Sequence, residues 1–245
     1  MKTNGLEMAG VALLLGGWAA LSVFTGEMLL PSPGAVLRAL GSLLSDPVEL
    51  MNTAATVLRG FGGIGLAVAF GAATGFFAGR APWLESLLRP TVALMKAVPV
   101  VSVIILMVFW LRTDRIPVVI GFTIAFPVVY HGVLQGTRQV DRRLLEMAAV
   151  FRVPEGRIVT GVYLPSLVPF LVGALDSAIG IGWKSVIAAE VICQPRFGIG
   201  TQLMNAKYNL VMEPLFAWTL LAVALSYLAE HGVRALHHSL DRWKQ

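Results

Sequence analysis

The sequence contains little charge for its length. Only 13% of its 245 residues are Asp, Glu, Lys or Arg and 56% are hydrophobic, whereas about 25% of the residues in soluble domains are charged. The mean hydropathy is +0.75. A soluble domain of ordinary size does not fit into this length beside several membrane spans. The composition therefore excludes an ordinary soluble protein and predicts an all-α polytopic membrane protein.

Cysteine and lysine are also scarce. The single cysteine, Cys193, excludes an intrachain disulfide and a cysteine cluster for a metal ion. None of the five lysines follows a glycine, so the sequence has no phosphate-binding G-K-[ST] loop. It also has no H-E-x-x-H motif, no nucleophile elbow and no histidine spacing that suits a metal ion. We therefore expect no catalytic site, no metal site and no cofactor held by this chain.

The chain is nevertheless basic, with a formal net charge of +5 and an isoelectric point near 9.7. A basic balance can indicate nucleic-acid binding, but membrane proteins also concentrate Lys and Arg in their cytoplasmic loops. The second explanation suits so apolar a chain, and we expect no nucleic-acid partner.

Six apolar stretches are long enough to cross a bilayer, which takes about 20 helical residues. They cover 8–30, 57–79, 84–111, 116–134, 166–193 and 214–233. The first is longer than a cleaved signal sequence, and the prolines at Pro31 and Pro33 separate it from a short surface helix over 34–44. Pro90 and Pro99 interrupt the third. We expect a single transmembrane domain that fills residues 1–245.

Glycines crowd the second span. Their spacing includes positions four residues apart, which allows two helices to approach closely in a membrane. The glycines concerned are Gly62, Gly63, Gly65, Gly71, Gly75 and Gly79.

The distribution of basic residues orients the spans. With six spans both termini lie on one side, and that side and its loops carry most of the Lys and Arg: Lys2, Arg80, Arg89, Arg138, Arg142, Arg143, Arg152, Arg157, Arg234, Arg242 and Lys244. The other side has Arg38, Arg59, Arg112, Arg115, Arg196 and Lys207. The positive-inside rule therefore predicts cytoplasmic termini and a cytoplasmic loop over 137–165, between spans four and five.

The loop over 137–165 has the pattern of two short helices. Asp141 can cap the first helix, whose apolar residues recur at helical spacing between Leu144 and Phe151. Pro154 suits the start of the second helix, and we expect Leu164-Pro165 to end it. Such a pair can insert into a groove of a partner protein; alternatively, the loop packs against its own bundle.

Several motifs in and after this loop resemble one family. Glu146-Met147-Ala148 occupies the position of an E-A-A motif, and Leu164-Pro165, Pro169 and Gly173 match the residues that follow it. The chain thus resembles the permease subunit of bacterial ABC importers that work with a substrate-binding protein. The stretch 180–190, the G-I-G at 198–200 and the P-S-P at 31–33 resemble the branch for nitrate, sulfonates and taurine.

The resemblance implies a set of partners in the bacterial inner membrane. A separate ABC ATPase would bind ATP and Mg, two copies of the permease would enclose the pathway, and an extracytoplasmic binding protein would deliver the solute. The pathway would open alternately to the two sides. Substrates of this branch are small organic anions and vitamin precursors. The residues expected to form the ATPase-coupling loop are Leu144, Glu146, Met147, Ala148, Phe151, Arg152, Leu164 and Pro165.

Arg152 departs from the family pattern, which has a glycine six residues after the glutamate. If the turn there requires left-handed backbone, an arginine costs about 1–2 kcal/mol. Otherwise the turn is built elsewhere, for instance at Gly156.

Three charges lie within the fifth span. At 100° per residue, Asp176 and Glu190 share one helix face and Lys184 lies about 80° away, so we expect a polar stripe along the translocation path, with Lys184 meeting an anionic substrate. In the alternative interpretation Asp176 and Glu190 lie at the two membrane surfaces. Lys96 in the third span is expected to extend its ammonium to the surface. A second function class, an ion-gradient-driven transporter, would use Asp176 and Glu190 as its ion site.

Overall fold

The structure is a computed structural model that describes residues 3–241, with side chains over 8–233. The elements that it describes are helices joined by short connections. They are α1 (Thr3–Thr25), α2 (Pro33–Ser45), α3 (Pro47–Arg80), α4 (Pro82–Ala97), α5 (Val100–Val108), α6 (Ile116–Arg138), α7 (Arg142–Val150), α8 (Glu155–Ile158), α9 (Leu164–Cys193), α10 (Ile199–Tyr208) and α11 (Met212–Asp241), with a π-helical turn, Val159–Tyr163, between α8 and α9.

Five of the described helices are long and apolar enough to cross a membrane, or six spans if the bent pair α4–α5 counts as one. The prediction of an all-α polytopic membrane protein is confirmed. The predicted surface helix over 34–44 is α2, which Ser32 caps by accepting a hydrogen bond from the amide of Ala35 (3.3 Å). Proline follows the cap because its missing N–H costs nothing in a first turn.

Two predicted spans have different ends in the structure. The first helix stops at Thr25, five residues before the predicted end, because Gly26 turns the chain with a φ of 79°. The second begins at Pro47, ten residues before the predicted start, with Asp46 as its cap. Its first turns carry polar residues, including Asn52 and Thr56, which a hydropathy criterion excludes from a span.

The predicted third span is two helices that meet at 93°. The bend falls at Val98 and Pro99, whereas Pro90 lies inside α4 without ending it. Val98 has extended backbone (φ −74°, ψ 130°), which is the conformation that a following proline favours.

Leu164-Pro165 does not end the second loop helix, so that expectation was wrong. α8 continues through the π turn into α9, and the helical segment from Glu155 to Cys193 is 39 residues long. Pro165 is tolerated because the extra residue of the π turn re-spaces the backbone hydrogen bonds just before it. The second loop helix and the fifth span are therefore one continuous rod.

The core is centred on α6, which packs most extensively against α3 and α9. Four of the predicted glycines lie on the contact with α6, and at these positions a Cβ would meet α6 atoms at 2.5–3.0 Å: Gly63, Gly71, Gly75 and Gly79. Gly62 and Gly65 have no such neighbour within 4 Å. Close helix approach at four-residue spacing is confirmed for the first set and not for the second.

Candidate functional site

The helix α7 projects from the bundle with an apolar face outward. Met147, Val150 and Phe151 are 52%, 79% and 74% exposed, and Leu144 is exposed beside them. Ala148 is buried, so the side of α7 that meets its own chain is narrow. An apolar face of this kind on a short helix is typical of a surface that a partner covers.

The turn after α7 uses Arg152 in left-handed backbone, with a φ of 51°. The amide of Arg152 donates to the carbonyl of Ala149 (3.1 Å), and that of Val153 donates to the carbonyl of Ala148 (2.9 Å). This pair of bonds is a Schellman motif, whose left-handed position is usually occupied by glycine. Arg152, at the position of the family's glycine, therefore has the left-handed backbone that suits a glycine, and the alternative turn at Gly156 does not occur.

The second loop helix is tied to α3 by Arg80. Its Nη2 lies 2.6 Å from Glu155 Oε1, and its guanidinium lies over the rings of Phe76 (5.7 Å) and Tyr163 (5.3 Å). The two rings meet edge to face at 5.4 Å. Because Glu155 begins α8 and Tyr163 closes the π turn, Arg80 holds both ends of this segment against the end of α3.

A neighbouring cluster joins α6 to α4. Arg138 binds Glu85 with both of its terminal nitrogens, and Glu85 also lies 4.0 Å from Arg89. The ends of α3, α4 and α6 are thus held by ion pairs at the same end of the bundle as the loop.

The structure does not bring all the predicted loop residues together. Glu146 is exposed on α7 near Leu144, whereas Leu164 lies at the start of α9. There it lines an apolar cavity of about 490 Å³ with Phe76 and Leu167. Pro165 occupies the first turn of α9. The contact surface predicted from the motif therefore divides into a part on α7 and a separate part at the start of α9, where Leu164 and Pro165 are also exposed.

The opposite end of the bundle has a buried ion pair. Glu190 is completely buried, and its Oε1 lies 2.8 Å from Arg59 Nη1, while Thr56 donates to its Oε2 at 2.7 Å. The other terminal nitrogen of Arg59 lies 3.0 Å from Asp114, which is partly exposed. Arg59 also donates to the carbonyl of Phe197. One arginine of α3 thus connects α9 with the α5–α6 loop, which holds Asp114, and with the loop before α10, which holds Phe197.

This network also begins α10. The first amides of that helix, those of Gly198, Ile199 and Gly200, donate to Asn52 Oδ1 (3.0 Å), Thr56 Oγ1 (2.8 Å) and Glu190 Oε2 (3.1 Å). A carboxylate at a helix N-terminus is electrostatically favourable. Gly198 has a φ of 156°, and a Cβ there would lie 2.8 Å from the Glu190 carboxyl carbon. The G-I-G motif therefore permits close approach to Glu190.

The two ion-pair clusters are separated by about the thickness of a membrane. Arg59 and Arg80 lie on the same helix, about 32 Å apart at 1.5 Å per residue. The hydrocarbon core of a bilayer is about 30 Å thick. The stretch of α3 between them defines the apolar slab of the molecule.

Lys184 and Asp176 lie on α9 within this slab. Lys184 is exposed and lines a cavity of about 410 Å³ between α9 and α11, together with Glu230. Asp176 is half-buried. Of the predicted stripe, Glu190 is completely buried and is enclosed by polar partners. Lys96 is exposed near the end of α4.

Sequence reasoning missed Arg59, Arg80 and Glu230 as residues of interest. Arg59 and Glu230 fall inside predicted spans, and a charge in a span usually has a partner or faces water. That signal was present in the sequence. Arg80 gave no comparable signal, since it lies at the end of a span among other basic residues.

Comparisons with known proteins agree with this architecture. A family model described as "Binding-protein-dependent transport system inner membrane component" matches residues 67–242. A probable ABC transporter permease protein of Brucella abortus is 28% identical over 98% of this chain and 96% of its own length. The taurine transport system permease protein TauC of Escherichia coli is 26% identical, covering 97% and 89%. The riboflavin transport system permease protein RibX of Chloroflexus aurantiacus is 28% identical, covering 95% and 87%.

The family match covers more than half of the chain, and the protein belongs to the inner membrane components of binding-protein-dependent transport systems. Within that family it lies in the branch that includes the taurine and sulfonate permeases. The resemblance inferred from the E-A-A-like loop is thereby confirmed. The protein is a multi-pass permease of the inner membrane.

Proposed function

We propose that this chain, acting as one permease domain, forms the solute pathway of an ATP-driven importer and couples to a separate ATPase through α7 and α8. The observation that carries the proposal is the exposed apolar face of Met147, Val150 and Phe151 on a helix that contacts its own bundle little. Such a face is suited to a groove on a partner, with Glu146 and Arg152 at its rim.

In this mechanism the partner ATPase binds ATP and Mg, and this chain contributes no catalytic residue. Closure of the ATPase dimer would displace α7 and α8. Because α8 is continuous with α9 through Tyr163, a displacement of Glu155 moves the fifth span as a rod. Arg80 passes the same displacement to α3. The two spans would then tilt between inward-open and outward-open states.

A second copy of the chain would complete the pathway. One face of α9 is exposed along the slab. It carries one large apolar residue, Ile181, and four small or polar residues: Gly173, Ser177, Lys184 and Ala188. An ammonium facing lipid at mid-membrane costs about 2.5–3.5 kcal/mol on insertion scales. Pairing two α9 helices across a water-filled path would remove that cost, so we propose a homodimer with the path between the two copies.

The loop with α7 faces the cytoplasm in this arrangement, and the end with Arg59 and Tyr208 faces an extracytoplasmic binding protein. Cys193 is buried, so introduced thiols can be labelled with little background. In intact cells a membrane-impermeant maleimide should label Tyr208→Cys and leave Phe151→Cys unlabelled until the cells are opened. The reverse pattern would overturn the orientation.

The substrate we propose is a small organic anion, such as a sulfonate, or a vitamin-type compound. The names of the taurine and riboflavin permeases support these two classes. Lys184 supports the anion, because it presents a cation to the exposed face of α9.

The test is to purify the tagged chain in mild detergent and identify the co-purifying proteins by mass spectrometry. An ABC ATPase should be recovered with the wild type and lost with the double variant Val150→Ser and Phe151→Ser. Tyr208→Ser is the matched control, since Tyr208 is also exposed but lies at the other end. If the chain purifies alone and an ion gradient drives solute uptake by it into liposomes, the proposal is contradicted. That result would favour an ion site at Asp176 and Glu190.

A further inference from the structure

The cavity between α9 and α11 lies in the apolar slab between the two ion-pair clusters. Its volume of about 410 Å³ falls within the roughly 300–1,000 Å³ that is usual for small-molecule sites. Lys184 lines it from α9 and Glu230 from α11, and Thr219 and Ser226 also belong to its wall. The residues around this one space thus include a cation and an anion.

A glycine leaves room for the Glu230 carboxylate against α9. A Cβ at Gly180 would lie 3.1 Å from Glu230 Oε1, so this oxygen rests directly against α9 where a side chain is missing. Ser226 donates a hydrogen bond to the same oxygen at 3.3 Å. Gly180 is four residues before Lys184, and residues at this spacing are neighbours on a helix surface, about 5–6 Å apart. The carboxylate therefore lies about one helical turn from the root of Lys184.

These two charges do not neutralise each other directly. Among the residues that the structure describes, neither Lys184 nor Glu230 takes part in an ion pair within 4.0 Å. Charged side chains within a span normally face a partner or a water-filled space. A small molecule with both a negative and a positive group would satisfy both at once.

We propose that this cavity binds a zwitterion that carries an ammonium group and a sulfonate, phosphate or carboxylate group. Lys184 binds the anionic group and Glu230 the ammonium. Two sources have this chemistry, a solute in transit and the headgroup of phosphatidylethanolamine. The first source rests on the proposed transport function, since it makes the bound molecule the cargo; the binding site itself does not.

The test uses three probes that differ by one charged group: taurine, ethanesulfonate and ethylammonium. The purified chain is placed in phosphatidylglycerol nanodiscs, and tryptophan fluorescence is titrated, because Trp183 is part of the cavity wall. Taurine should bind at least tenfold more tightly than either single-charge probe. The response should be lost in Trp183→Phe if it comes from this cavity.

Two variants separate the roles of the charges. Glu230→Gln should lower the affinity for taurine to that for ethanesulfonate. The affinity for ethanesulfonate itself should not change, which also shows that the variant is folded. Lys184→Gln should lower the affinity for taurine to that for ethylammonium, and the affinity for ethylammonium itself should not change. Lys207→Gln, an exposed lysine outside the cavity, should change nothing. Equal binding of taurine and ethanesulfonate to the wild type, or no saturable response, would overturn the proposal.

Repeating the titration in phosphatidylethanolamine nanodiscs distinguishes the two sources. Unchanged taurine affinity identifies the free solute as the occupant, whereas taurine binding that is lost in this lipid identifies the headgroup. The chain binds the probes without an ATPase in these experiments. A failure to co-purify an ATPase would therefore contradict the proposed function and leave the zwitterion site intact.

Discussion

Arg80 and Glu155 form an ion pair across 75 positions of sequence, with 2.6 Å between Nη2 and Oε1. The pair joins the last turn of α3 to the first turn of α8. Because α8 continues into α9, this contact links two spans at the point where the proposed ATPase would act. Arg80 is half-buried between two aromatic rings and Glu155 is 79% exposed.

We expect Glu155→Gln to uncouple transport without unfolding the protein. An ion pair that is this exposed contributes at most about 1 kcal/mol to stability. The variant should therefore express and bind the ATPase normally. Solute transported per ATP hydrolysed should fall by about fivefold, the lower end of typical coupling energies. The measurement is simultaneous uptake and phosphate release in proteoliposomes.

A charge exchange provides the control for this pair. Arg80→Glu should show the same defect, and combining it with Glu155→Arg should restore part of the transport ratio. If the wild type, Glu155→Gln and Arg80→Glu transport the same amount of solute per ATP hydrolysed, the contact does not contribute to coupling.

The Arg59–Glu190 pair should matter for stability instead. Removing one partner of a buried pair costs about 3–5 kcal/mol because the other charge is left unpaired, and Glu190 is completely buried. Arg59→Ala should therefore lower the thermal unfolding midpoint in detergent markedly. Arg112→Ala, at an exposed arginine of the same end, should leave it unchanged. Similar midpoints for the two variants would show that the network does not hold α10 in place.

Arg152→Gly should stabilise the protein by about 1 kcal/mol, since it removes the cost of a side chain in left-handed backbone. Arg152→Ala keeps a Cβ at the same φ of 51° and should give no such gain. Chemical denaturation of the three proteins in one detergent compares them. If alanine stabilises as much as glycine, the effect belongs to the arginine side chain and not to the turn.

The glycines of α3 provide a matched pair of substitutions. A Cβ at Gly75 would lie 2.6 Å from the carbonyl oxygen of Tyr130, so Gly75→Ala should push α6 away at a cost of about 1–3 kcal/mol. Gly65 has open space around it, and Gly65→Ala should be neutral or stabilise by up to about 1 kcal/mol. Thermal unfolding of both variants tests this, and equal destabilisation would contradict the close α3–α6 contact.

Hydropathy predicted the existence of the spans because burial in lipid requires long apolar helices, whatever their packing. The helix ends that it missed depend on other forces. α3 begins at Pro47 because Asp46 caps it, although the turns that follow are polar. The passage through Pro165 depends on a π turn, which has no sequence signature of its own.

The loop motif located α7 correctly, since Asp141 caps it and accepts a hydrogen bond from the amide of Arg143 (2.9 Å). The start of α10 could not be found in this way. Its first amides are bound by Asn52, Thr56 and Glu190, which lie 10 to 146 positions away in the sequence. Only the folded chain brings these groups together.

The most direct measurement of coupling is photo-crosslinking from the apolar face of α7. Benzoylphenylalanine replaces Phe151 in one protein and Tyr208 in another, since both side chains are largely exposed but lie at opposite ends of the bundle. Membranes that contain the whole transporter are irradiated, and the adducts are identified by mass spectrometry. An ABC ATPase attached at position 151 and absent at position 208 is the predicted result. An ATPase adduct at position 208, or none at position 151, would contradict the assignment of α7 as the ATPase contact.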